Sequence, residues 1–310
     1  VGYKPSFAQW RVLLSPARFL MVTGGVRAGK SYLAALYLVL KILISFYNGS
    51  AKPGDLYWIV GPSYEATKPE FTYAVGMLAK LGFLGWASTN VNPGKIILAA
   101  CPCGVSGCEH PRITIETKSA TDFATLASVA PKGIIACESG LLDIEAFWRI
   151  EERLAEQRGW LYMGGVFEGS FGWYPEKFTS WQDSYVQKEE NVQSFNIPSY
   201  TNLVIFPGGE GDPEILRLKR NHSDNWFDER VKGIPAPPKG LVFPEFRNEI
   251  HVREIEFTEG FPVYIMVDPG FSRITESAYA VDCYQLIDGQ LRGFDEIYVQ
   301  ELTTYEVTEV

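Results

Sequence analysis

Residues 18–31 read Arg-Phe-Leu-Met-Val-Thr-Gly-Gly-Val-Arg-Ala-Gly-Lys-Ser, and the interpretation of the whole chain starts from them. The stretch opens with a short apolar run at 19–22, which is typical of a buried strand. A long apolar run follows at 33–46, which is typical of a helix. A strand, a glycine-rich turn and a helix in this order are the setting of a phosphate-binding loop.

The turn itself matches the P-loop pattern Gly-x-x-x-x-Gly-Lys-Ser over residues 24–31 in full. Glycines let the backbone wrap a phosphate chain, and the following helix adds the positive end of its dipole. Lys30 can reach the β- and γ-phosphates, and the Ser31 hydroxyl can ligate Mg²⁺. The alternative is a chance glycine turn before a helix. We predict that ATP with Mg²⁺ contacts Gly24, Gly25, Val26, Arg27, Ala28, Gly29, Lys30, Ser31 and Tyr32.

Length and composition favour a globular protein with more than one domain. The chain has 310 residues, of which 46% are hydrophobic and 21% charged, so two cores can form. Its net charge of −9 argues against a surface coated for nucleic acid but allows a local basic channel. The apolar run at 33–46 is interrupted by Lys41 and Ser45, so we expect a buried helix and no transmembrane segment. With no signal peptide before it, a cytoplasmic location is expected.

Strand-like and helix-like segments alternate through the first two thirds of the chain. This alternation predicts an α/β fold with a mainly parallel sheet and flanking helices. The predicted strands cover 56–60, 133–138 and 192–197, with one beginning at Trp160 and a pair at 95–99 and 112–117. The predicted helices cover 31–48, 64–81 and 142–158.

An acidic residue closes one of these strands. The run at 133–138 ends in Glu138, which is where P-loop ATPases place the carboxylate that orients the attacking water. The Asp that usually precedes it and supports Mg²⁺ is replaced by Cys137. The metal would therefore depend more on Ser31 and on waters. The alternative is a strand-end glutamate without a role.

Three cysteines and a histidine lie within ten residues between the paired strands: Cys101, Cys103, Cys108 and His110. Together they could form a tetrahedral Cys₃His zinc site, although the C-x-C and C-x-H spacings are less usual than C-x-x-C. A reduced hairpin tip that carries cysteines explains the same residues. A zinc ion here would be a structural clip without a catalytic part.

The composition of the sequence changes near Gly233, where a stretch rich in proline and glycine indicates a domain boundary. A predicted strand then ends in Asp268, and two more at 277–287 and 291–299 are joined by an Asp-Gly turn. A carboxylate on the first strand of an antiparallel meander begins the two-metal site of RNase H-like nucleases. We therefore divide the chain into a P-loop ATPase domain, a linker and the start of a nuclease domain. The ATPase domain covers 1–232, the linker 233–260 and the start of the nuclease domain 261–310. The ATPase domain includes the cysteine hairpin 101–110 and a lid-like segment at about 175–232.

The order of these parts resembles that of viral large terminases, the DNA-packaging ATPase/nucleases of tailed bacteriophages. Gln9, the P-loop, the strand ending at Glu138 and the Gly164-Gly165 loop are similar to the ATPase half. Residues 226–233, 240–246 and 251–252 look like the linker that this family places before its nuclease, and residues 267–270 are similar to the first nuclease motif.

The resemblance implies a motor that hydrolyses ATP to thread double-stranded DNA through a portal protein into a procapsid. It also implies that the chain binds the small terminase subunit, forms a homo-oligomeric ring and acts in the host cytoplasm. Gln9 would contact adenine, and the loop from Gly164 to Gly172 would couple hydrolysis to movement. Asp268 would ligate Mg²⁺ or Mn²⁺ in a nuclease that cuts concatemeric DNA.

Several positions depart from the family pattern. Leu126-Ala127-Ser128 stands where many members carry Leu-Arg-Gly, whose arginine is thought to reach the γ-phosphate of a neighbouring subunit. Arg27 could take this role in cis, or could contact only phosphate or solvent. The chain stops before the family's remaining nuclease carboxylates, and Glu296 is either an extra ligand or a solvated residue. Basic residues that could contact DNA are Lys177, Lys188, Arg217, Lys219 and Arg220. A helicase or recombination-type DNA ATPase, and a nucleotide-binding assembly module with weak hydrolysis, remain alternatives.

Overall fold

The computed structural model describes residues 4–127, 129–167, 172–236, 252–269 and 278–300. The chain divides into two compact units, Val1–Gly240 and Leu241–Val310. Parts of four predicted features lie outside the described residues: Ser128, the middle of the Gly164-to-Gly172 loop, most of the linker after residue 236, and residues 270–277 and 301–310 of the predicted nuclease domain.

The first unit is built on one eight-stranded sheet, and the predicted mainly parallel α/β fold is confirmed. The strand order is β3-β4-β5-β2-β6-β7-β1-β8, and every pairing except β3–β4 and β4–β5 is parallel. The strands are β1 (Phe19–Gly24), β2 (Leu56–Gly61), β3 (Leu84–Ala87), β4 (Lys95–Leu98), β5 (Thr114–Ser119), β6 (Gly133–Ala136), β7 (Trp160–Gly165) and β8 (Val192–Ile197).

The helices begin and end at recognisable signals. The predicted helix at 64–81 starts only at Lys68, because residues 65–67 form a 3₁₀ turn and a proline follows in the first helical turn. The predicted helix at 142–158 starts after Asp143, whose side chain caps the N–H of Glu145. The helices are α1 (Phe7–Leu13), α2 (Lys30–Tyr47), α3 (Lys68–Lys80), α4 (Ile144–Gln157), α5 (Trp173–Ser180), α6 (Ser184–Glu190), α7 (Pro213–Asn221) and α8 (Asp224–Phe227), and a π-helical turn follows at Asp228–Lys232.

Helices cover both faces of the sheet and give it two apolar cores. On one face, α2 and α3 bury residues such as Leu38 and Phe71 against β1 and β2. On the other, α4 and α5 bury Phe147 and Phe178. Helix α2 is the one described helix that is long and apolar enough to cross a membrane by length and composition, and much of its apolar surface is buried in the first core.

The strand order decides which loops meet. β7 lies between β1 and β6, and all three run parallel, so their carboxyl ends share one edge of the sheet. The P-loop, the turn after Cys137 and the end of β7 at Gly165 therefore come together, as ligand sites of open α/β sheets do. β6 ends at Ala136 rather than at residue 138, because the chain turns sharply at Glu138.

The loop between β4 and β5 lies at the opposite edge. Thr114 at the start of β5 pairs with Leu56 at the start of β2. The N–H of Gly54 donates to the carbonyl of Pro111 at 2.9 Å, which ties the loop to the turn before β2. The cysteine-bearing hairpin is therefore remote from the P-loop edge.

The second unit contains a three-stranded antiparallel sheet in the order β11-β10-β9. The strands are β9 (Val263–Asp268), β10 (Ala278–Ile287) and β11 (Gln290–Gln300). Asp288 and Gly289 join the last two with φ of 53° and 75°, which suits a type I′ hairpin turn. These are the strands and the turn that the sequence predicts, and the assignment to an RNase H-like domain stays a prediction.

Replacing Thr117 by Val is expected to lower the free energy of unfolding by about 1–3 kcal/mol. The buried Thr117 hydroxyl donates to the Val91 carbonyl at 2.7 Å and accepts from the N–H of Gly94 at 2.5 Å, so valine leaves both groups without a partner. Thr114→Val on the same strand is the matched control, since this position is half-buried. Urea unfolding measures both, and equal midpoints for the two variants would contradict the argument.

Candidate functional site

The P-loop folds around its own lysine. The ammonium group of Lys30 donates to the carbonyls of Gly24 and Gly25, each at 2.9 Å. Burial lowers the pKa of Lys30 to about 8, although the nearby carboxylates of Glu138 and Glu70 act in the opposite direction. In the presence of a phosphate group, the Lys30 ammonium could donate to phosphate oxygens in place of these two carbonyl oxygens.

The loop borders an open cleft of about 480 Å³, called the P-loop cleft below. It joins seven consecutive residues that begin at Val26 to residues from five other parts of the first unit. The lining residues are Val26, Arg27, Ala28, Gly29, Lys30, Ser31, Tyr32, Tyr73, Glu138, Val166, Asn202, Ile205 and Arg230. The predicted phosphate-binding residues from Val26 to Tyr32 and the predicted catalytic Glu138 thus share one cavity.

Glycine is required at two positions of the P-loop for different physical reasons. Gly29 has a φ of 86°, a left-handed conformation that L side chains rarely adopt, and it caps the start of α2. A Cβ on Gly25 would lie 2.2 Å from the Ser199 hydroxyl and 2.2 Å from the Val231 carbonyl. Gly25 is therefore fixed by packing against later segments of the chain.

Those later segments hold the P-loop backbone from outside. The N–H of Val26 donates to the carbonyl of Arg230 at 2.8 Å, and the Thr23 hydroxyl donates to the carbonyl of Gly233 at 2.6 Å. A Cβ on Gly233 would lie 2.5 Å from the Cα of Gly24. The stretch 226–233, which the sequence likened to a linker, therefore contributes its last residues to the walls of the P-loop.

A second brace follows β8. The Ser199 hydroxyl donates to the Val26 carbonyl at 2.6 Å, and the Asn202 amide donates to the Arg27 carbonyl at 2.7 Å. These bonds occupy two carbonyl oxygens of the loop. The N–H groups of Gly25, Val26 and Ala28 already donate to carbonyls, so an anion in the cleft would bind the N–H groups of the remaining loop residues. Arg27 itself sits at a φ of 63°, and its side chain is exposed at the rim of the cleft.

Gln9 braces the same loop from α1. Its amide nitrogen donates to the Ala28 carbonyl at 3.2 Å, and its oxygen accepts from the N–H of Ser6 at 2.8 Å in a capping box. The side chain is buried against the P-loop. The predicted contact between Gln9 and adenine stays a prediction; what the structure gives Gln9 is a supporting role for the loop.

Glu138 sits in an unusual backbone conformation. Its φ and ψ are 46° and 45°, in the left-handed region that non-glycine residues rarely enter. Such conformations cost of order 1–3 kcal/mol and cluster at functional sites. The turn directs Glu138 into the P-loop cleft with Lys30 and Ser31. This outlier is independent support for the carboxylate that the sequence selected.

The end of β7 packs against the turn at Glu138. A Cβ on Gly165 would lie 3.1 Å from the N–H nitrogen of Ser139 and 2.7 Å from the Tyr174 hydroxyl oxygen. Burial raises the pKa of Tyr174, and the negative charge of Glu138 adds to the shift. The beginning of the predicted coupling loop, Gly164 to Gly172, thus contacts the turn that carries the predicted catalytic carboxylate.

A carboxylate that the sequence analysis missed lies where the expected Asp is absent. Glu70 is in the first turn of α3 and is 5% exposed. Burial raises its pKa, while hydrogen bonding to the Ser31 hydroxyl and the Cys137 thiol lowers it. Its Oε2 atom has no hydrogen-bond partner among the residues that the structure describes. A buried carboxylate oxygen without a partner is costly unless a ligand completes it.

These residues fit a Mg²⁺ ion that accompanies a nucleotide. Ser31 supplies the hydroxyl of the P-loop pattern, and Glu70 supplies a carboxylate that is hydrogen-bonded to this hydroxyl. Burial and the adjacent Glu70 raise the pKa of Cys137 well above its ordinary value, so this thiol stays protonated and is a poor ligand for a hard cation. The acidic partner of Ser31 is therefore on α3 and not at the end of β6.

The pairing of β2 with β6 explains why Glu70 lies beside Cys137 and Ser31. β2 pairs with β6, with Val60 opposite Ala136, and the N–H of Cys137 donates to the Val60 carbonyl at 2.7 Å. A carboxylate in the helix that follows β2 therefore falls beside the end of β6. The sequence signal would have been an acidic residue in the first turn of the helix after a neighbouring strand.

Two further residues of the cleft, Arg230 and Tyr73, were also missed. Arg230, in the π-helical turn, lines the cleft, and its positive charge contributes to the lowered pKa of Lys30. The rings of Tyr32 and Tyr73 meet edge to face at 5.2 Å beside the loop. These residues add a cation and an aromatic wall to the site.

In the second unit, Asp268 is the last residue of β9 and is exposed. It pairs with Ala280, and two positions along β10 Asp282 pairs with Glu296. Opposite and alternate residues share a face, so these three carboxylates lie on one side of the sheet. Among described residues, however, only the cysteine hairpin brings three or more ligand atoms within 4.8 Å of one another. The nuclease role of Asp268 stays a prediction.

The predicted DNA-contacting residues occupy different settings. The ammonium group of Lys177 lies 4.7 Å from the ring centre of Phe147, and Arg217 pairs with Glu214 at 2.6 Å. The other three are exposed on helices: Lys188 on α6, and Lys219 and Arg220 in the last turn of α7.

Comparisons with known proteins give likenesses in structure alone. No family model matches the chain, and no curated protein matches it. The ATPase domain of the large terminase of Thermus phage P74-26 aligns with a TM-score of 0.58 at 19% identity. That alignment covers 75% of this chain and 95% of the domain.

Two longer structures align over almost the whole chain. The large terminase of a thermophilic bacteriophage, in complex with ADP, gives a TM-score of 0.57 at 14% identity, covering 98% of this chain and 72% of that one. The large terminase of bacteriophage HK97 gives 0.54 at 12% identity, covering 99% and 66%. The fold of the first unit is therefore that of the ATPase domains of phage large terminases.

Proposed function

We propose that this chain is the ATP-hydrolysing motor subunit of a phage DNA-packaging machine, a large terminase. The observation that carries the proposal is the convergence of Lys30, Ser31 and Glu138 in one cleft, with Glu138 held in a left-handed conformation. A P-loop that only binds nucleotide has no need of a carboxylate held in this way. The likeness in fold to large terminases supports the same interpretation.

In the proposed reaction, the P-loop N–H groups and Lys30 hold the phosphate chain of ATP. Ser31 and Glu70 would hold the accompanying Mg²⁺, which, when bound, neutralises charge on the β- and γ-phosphates. Glu138 orients the water that attacks the γ-phosphate. Arg230 and Arg27 are the cations at the cleft that could balance charge on the transferred group, in place of the arginine missing at Ala127.

The proposal extends to mechanical work through the end of β7. Because Gly165 contacts Ser139 directly, a change at Glu138 is transmitted to the loop that begins at Gly164. The braces from Arg230 and Gly233 offer a second route, since they join the P-loop to the end of the first unit. Either route would let hydrolysis move a segment that grips double-stranded DNA.

The setting of the motor is part of the proposal. Its partners would be DNA, the portal protein, the small terminase subunit and the procapsid, with copies of the chain forming a ring in the host cytoplasm. Asp268 would belong to a two-metal nuclease, with Mg²⁺ or Mn²⁺, that cuts concatemeric DNA. The antiparallel order of β9, β10 and β11 supports this interpretation over a helicase, which needs a second parallel α/β domain.

A second function is favoured by one specific observation. Cys137 is buried and protonated where an acidic Mg²⁺ ligand is expected. A nucleotide-binding assembly module with weak hydrolysis would tolerate this substitution. Glu70 is what separates the two functions, because it returns an acidic oxygen to Ser31.

Replacing Glu138 by Gln is expected to reduce ATP turnover by about 10²–10⁴-fold while ATP binding persists, because the amide cannot accept a proton from water. Lys30→Ala is expected to weaken binding itself. Turnover with DNA present and nucleotide titration measure the two effects separately. Glu145→Gln, on the first turn of α4, is the control. A wild-type chain that binds ATP but turns over no faster than Glu138→Gln would favour the assembly module.

Replacing Glu70 by Gln is expected to raise the Mg²⁺ concentration needed for half-maximal turnover by about 10–100-fold. The same variant should lose the gain in nucleotide affinity that Mg²⁺ confers, while nucleotide binding in EDTA is unchanged. Adding Cys137→Asp to Glu70→Gln should restore part of the lost Mg²⁺ affinity. Glu65→Gln, exposed in the preceding turn, is the matched control. An unaltered Mg²⁺ dependence in Glu70→Gln would remove Glu70 from the site.

Reversing the charges of Lys219 and Arg220 is expected to weaken double-stranded DNA binding equally for all sequences. The logarithm of the binding constant should also fall less steeply with the logarithm of salt concentration, with a slope smaller by about 2. The double variant Lys52→Glu/Lys80→Glu, at two exposed lysines of the first unit, changes the net charge by the same amount and is the matched control. Fluorescence anisotropy at several salt concentrations measures the slope, and an unchanged slope would exclude this helix end from the DNA surface.

A further inference from the structure

The hairpin between β4 and β5 gathers four metal-binding side chains that the proposed function does not use. One donor atom from each of Cys101, Cys103, Cys108 and His110 lies within 4.8 Å of every other. We propose that this hairpin is a structural zinc site with a closed Cys₃His ligand set. The inference is independent of ATP hydrolysis and of DNA packaging.

The donor spacing suits a tetrahedral ion. Zn–S bonds of about 2.3 Å place the sulfur atoms of a tetrahedral site about 3.8 Å apart. The Sγ atoms of Cys103 and Cys108 are 3.2 Å apart, and all four donors fit within the 4.8 Å limit. Small rotations of the side chains would bring each donor to its bond length. Four protein ligands leave no open position, which is the arrangement of structural rather than catalytic zinc.

A disulfide explains the cluster less well. An S–S bond is about 2.05 Å long, well short of the 3.2 Å between the Cys103 and Cys108 sulfurs, and these cysteines are free in the structure. A single disulfide would also leave a third thiol and an imidazole converging on it for no reason. A metal ion accounts for all four side chains at once.

The tip of the hairpin has little apolar packing to fix its shape. Gly104 and Gly107 both have a φ of 72°, and a Cβ on either would meet nothing within 4 Å. Val105 between them is 63% exposed. An exposed loop that converges four ligands without a core beneath it needs another source of folding free energy, and zinc supplies it in small closed sites.

Arg112 completes the site electrostatically. Its guanidinium donates to the Sγ of Cys108 at 3.2 Å and to the carbonyl of the same residue at 3.4 Å. Three thiolates around one Zn²⁺ leave a single net negative charge, which this guanidinium balances. Groups that hydrogen-bond to metal ligands orient them and tune the affinity of the site.

The position of the hairpin indicates what the ion does. Pro111 ties the hairpin to Gly54 ahead of β2, at the sheet edge opposite the P-loop cleft. The ion would clip the end of the short β4–β5 ladder, where the sheet turns from parallel to antiparallel. Removing it should loosen this edge of the sheet and leave the chemistry at Lys30 and Glu138 in place.

Zinc content of the purified chain tests the site directly. The wild type, prepared without chelator, is expected to carry about one zinc per chain by mass spectrometry of the metal. The double variant Cys101→Ser/Cys108→Ser is expected to carry less than about a tenth of that, since two of four ligands are lost. Cys283→Ser, a cysteine on β10 outside the cluster, is the matched control and should keep its zinc.

Two further measurements keep the test decisive if the double variant folds poorly. Wild-type chain stripped of metal should take up Co²⁺ with the absorption bands of tetrahedral thiolate coordination. Chelation should speed amide exchange at residues 99–113 at least about tenfold while β1 and β6 stay protected, because the opening is local. No zinc and no tetrahedral Co²⁺ spectrum, zinc retained by the double variant, or a Cys103–Cys108 disulfide in fresh protein would each overturn the proposal. Zinc content does not depend on ATP turnover, so neither result can stand in for the other.

Discussion

The P-loop cleft depends on how the P-loop backbone is held from outside. Its carbonyls accept hydrogen bonds from Ser199 and Asn202, and the N–H of Val26 donates to Arg230. Glycine at position 25 makes these contacts possible, because a Cβ there would overlap Ser199 and Val231. The loop is therefore a joint product of its own pattern and of segments that arrive about two hundred residues later.

The sheet turns this local arrangement into a site. Because β7 separates β1 from β6, the turn at Glu138 faces the P-loop across one strand, and that strand ends in Gly165 beside the same turn. The pairing of β2 with β6 brings Glu70 in from the next helix. The acidic neighbour of Ser31 therefore lies on the helix after β2, and a thiol, Cys137, follows the end of β6.

What the sequence could predict follows from the range of each interaction. The P-loop, the strand before Glu138 and the cysteine hairpin are local patterns of ten residues or fewer, so reading the chain in order finds them. The parallel sheet followed from alternation alone. Strand order brings Glu70 to Ser31, and a distant π-helical turn brings Arg230 to the cleft. No local pattern reveals either placement. The sequence predicts an adenine contact for Gln9 and says nothing of the hydrogen bond from its amide to the Ala28 carbonyl, because side-chain direction depends on how α1 packs.

The contact between Thr23 and Gly233 spans 210 positions of the chain, and this separation bears on how the protein is made. At about 5–20 residues per second, a ribosome needs roughly 10–40 s to add that much chain. During this time the strand and helix around the P-loop can form, but the loop lacks the backbone that shapes it. The nascent first unit would thus complete its P-loop only near the end of its own synthesis, when residues 230–233 become available to contact the loop.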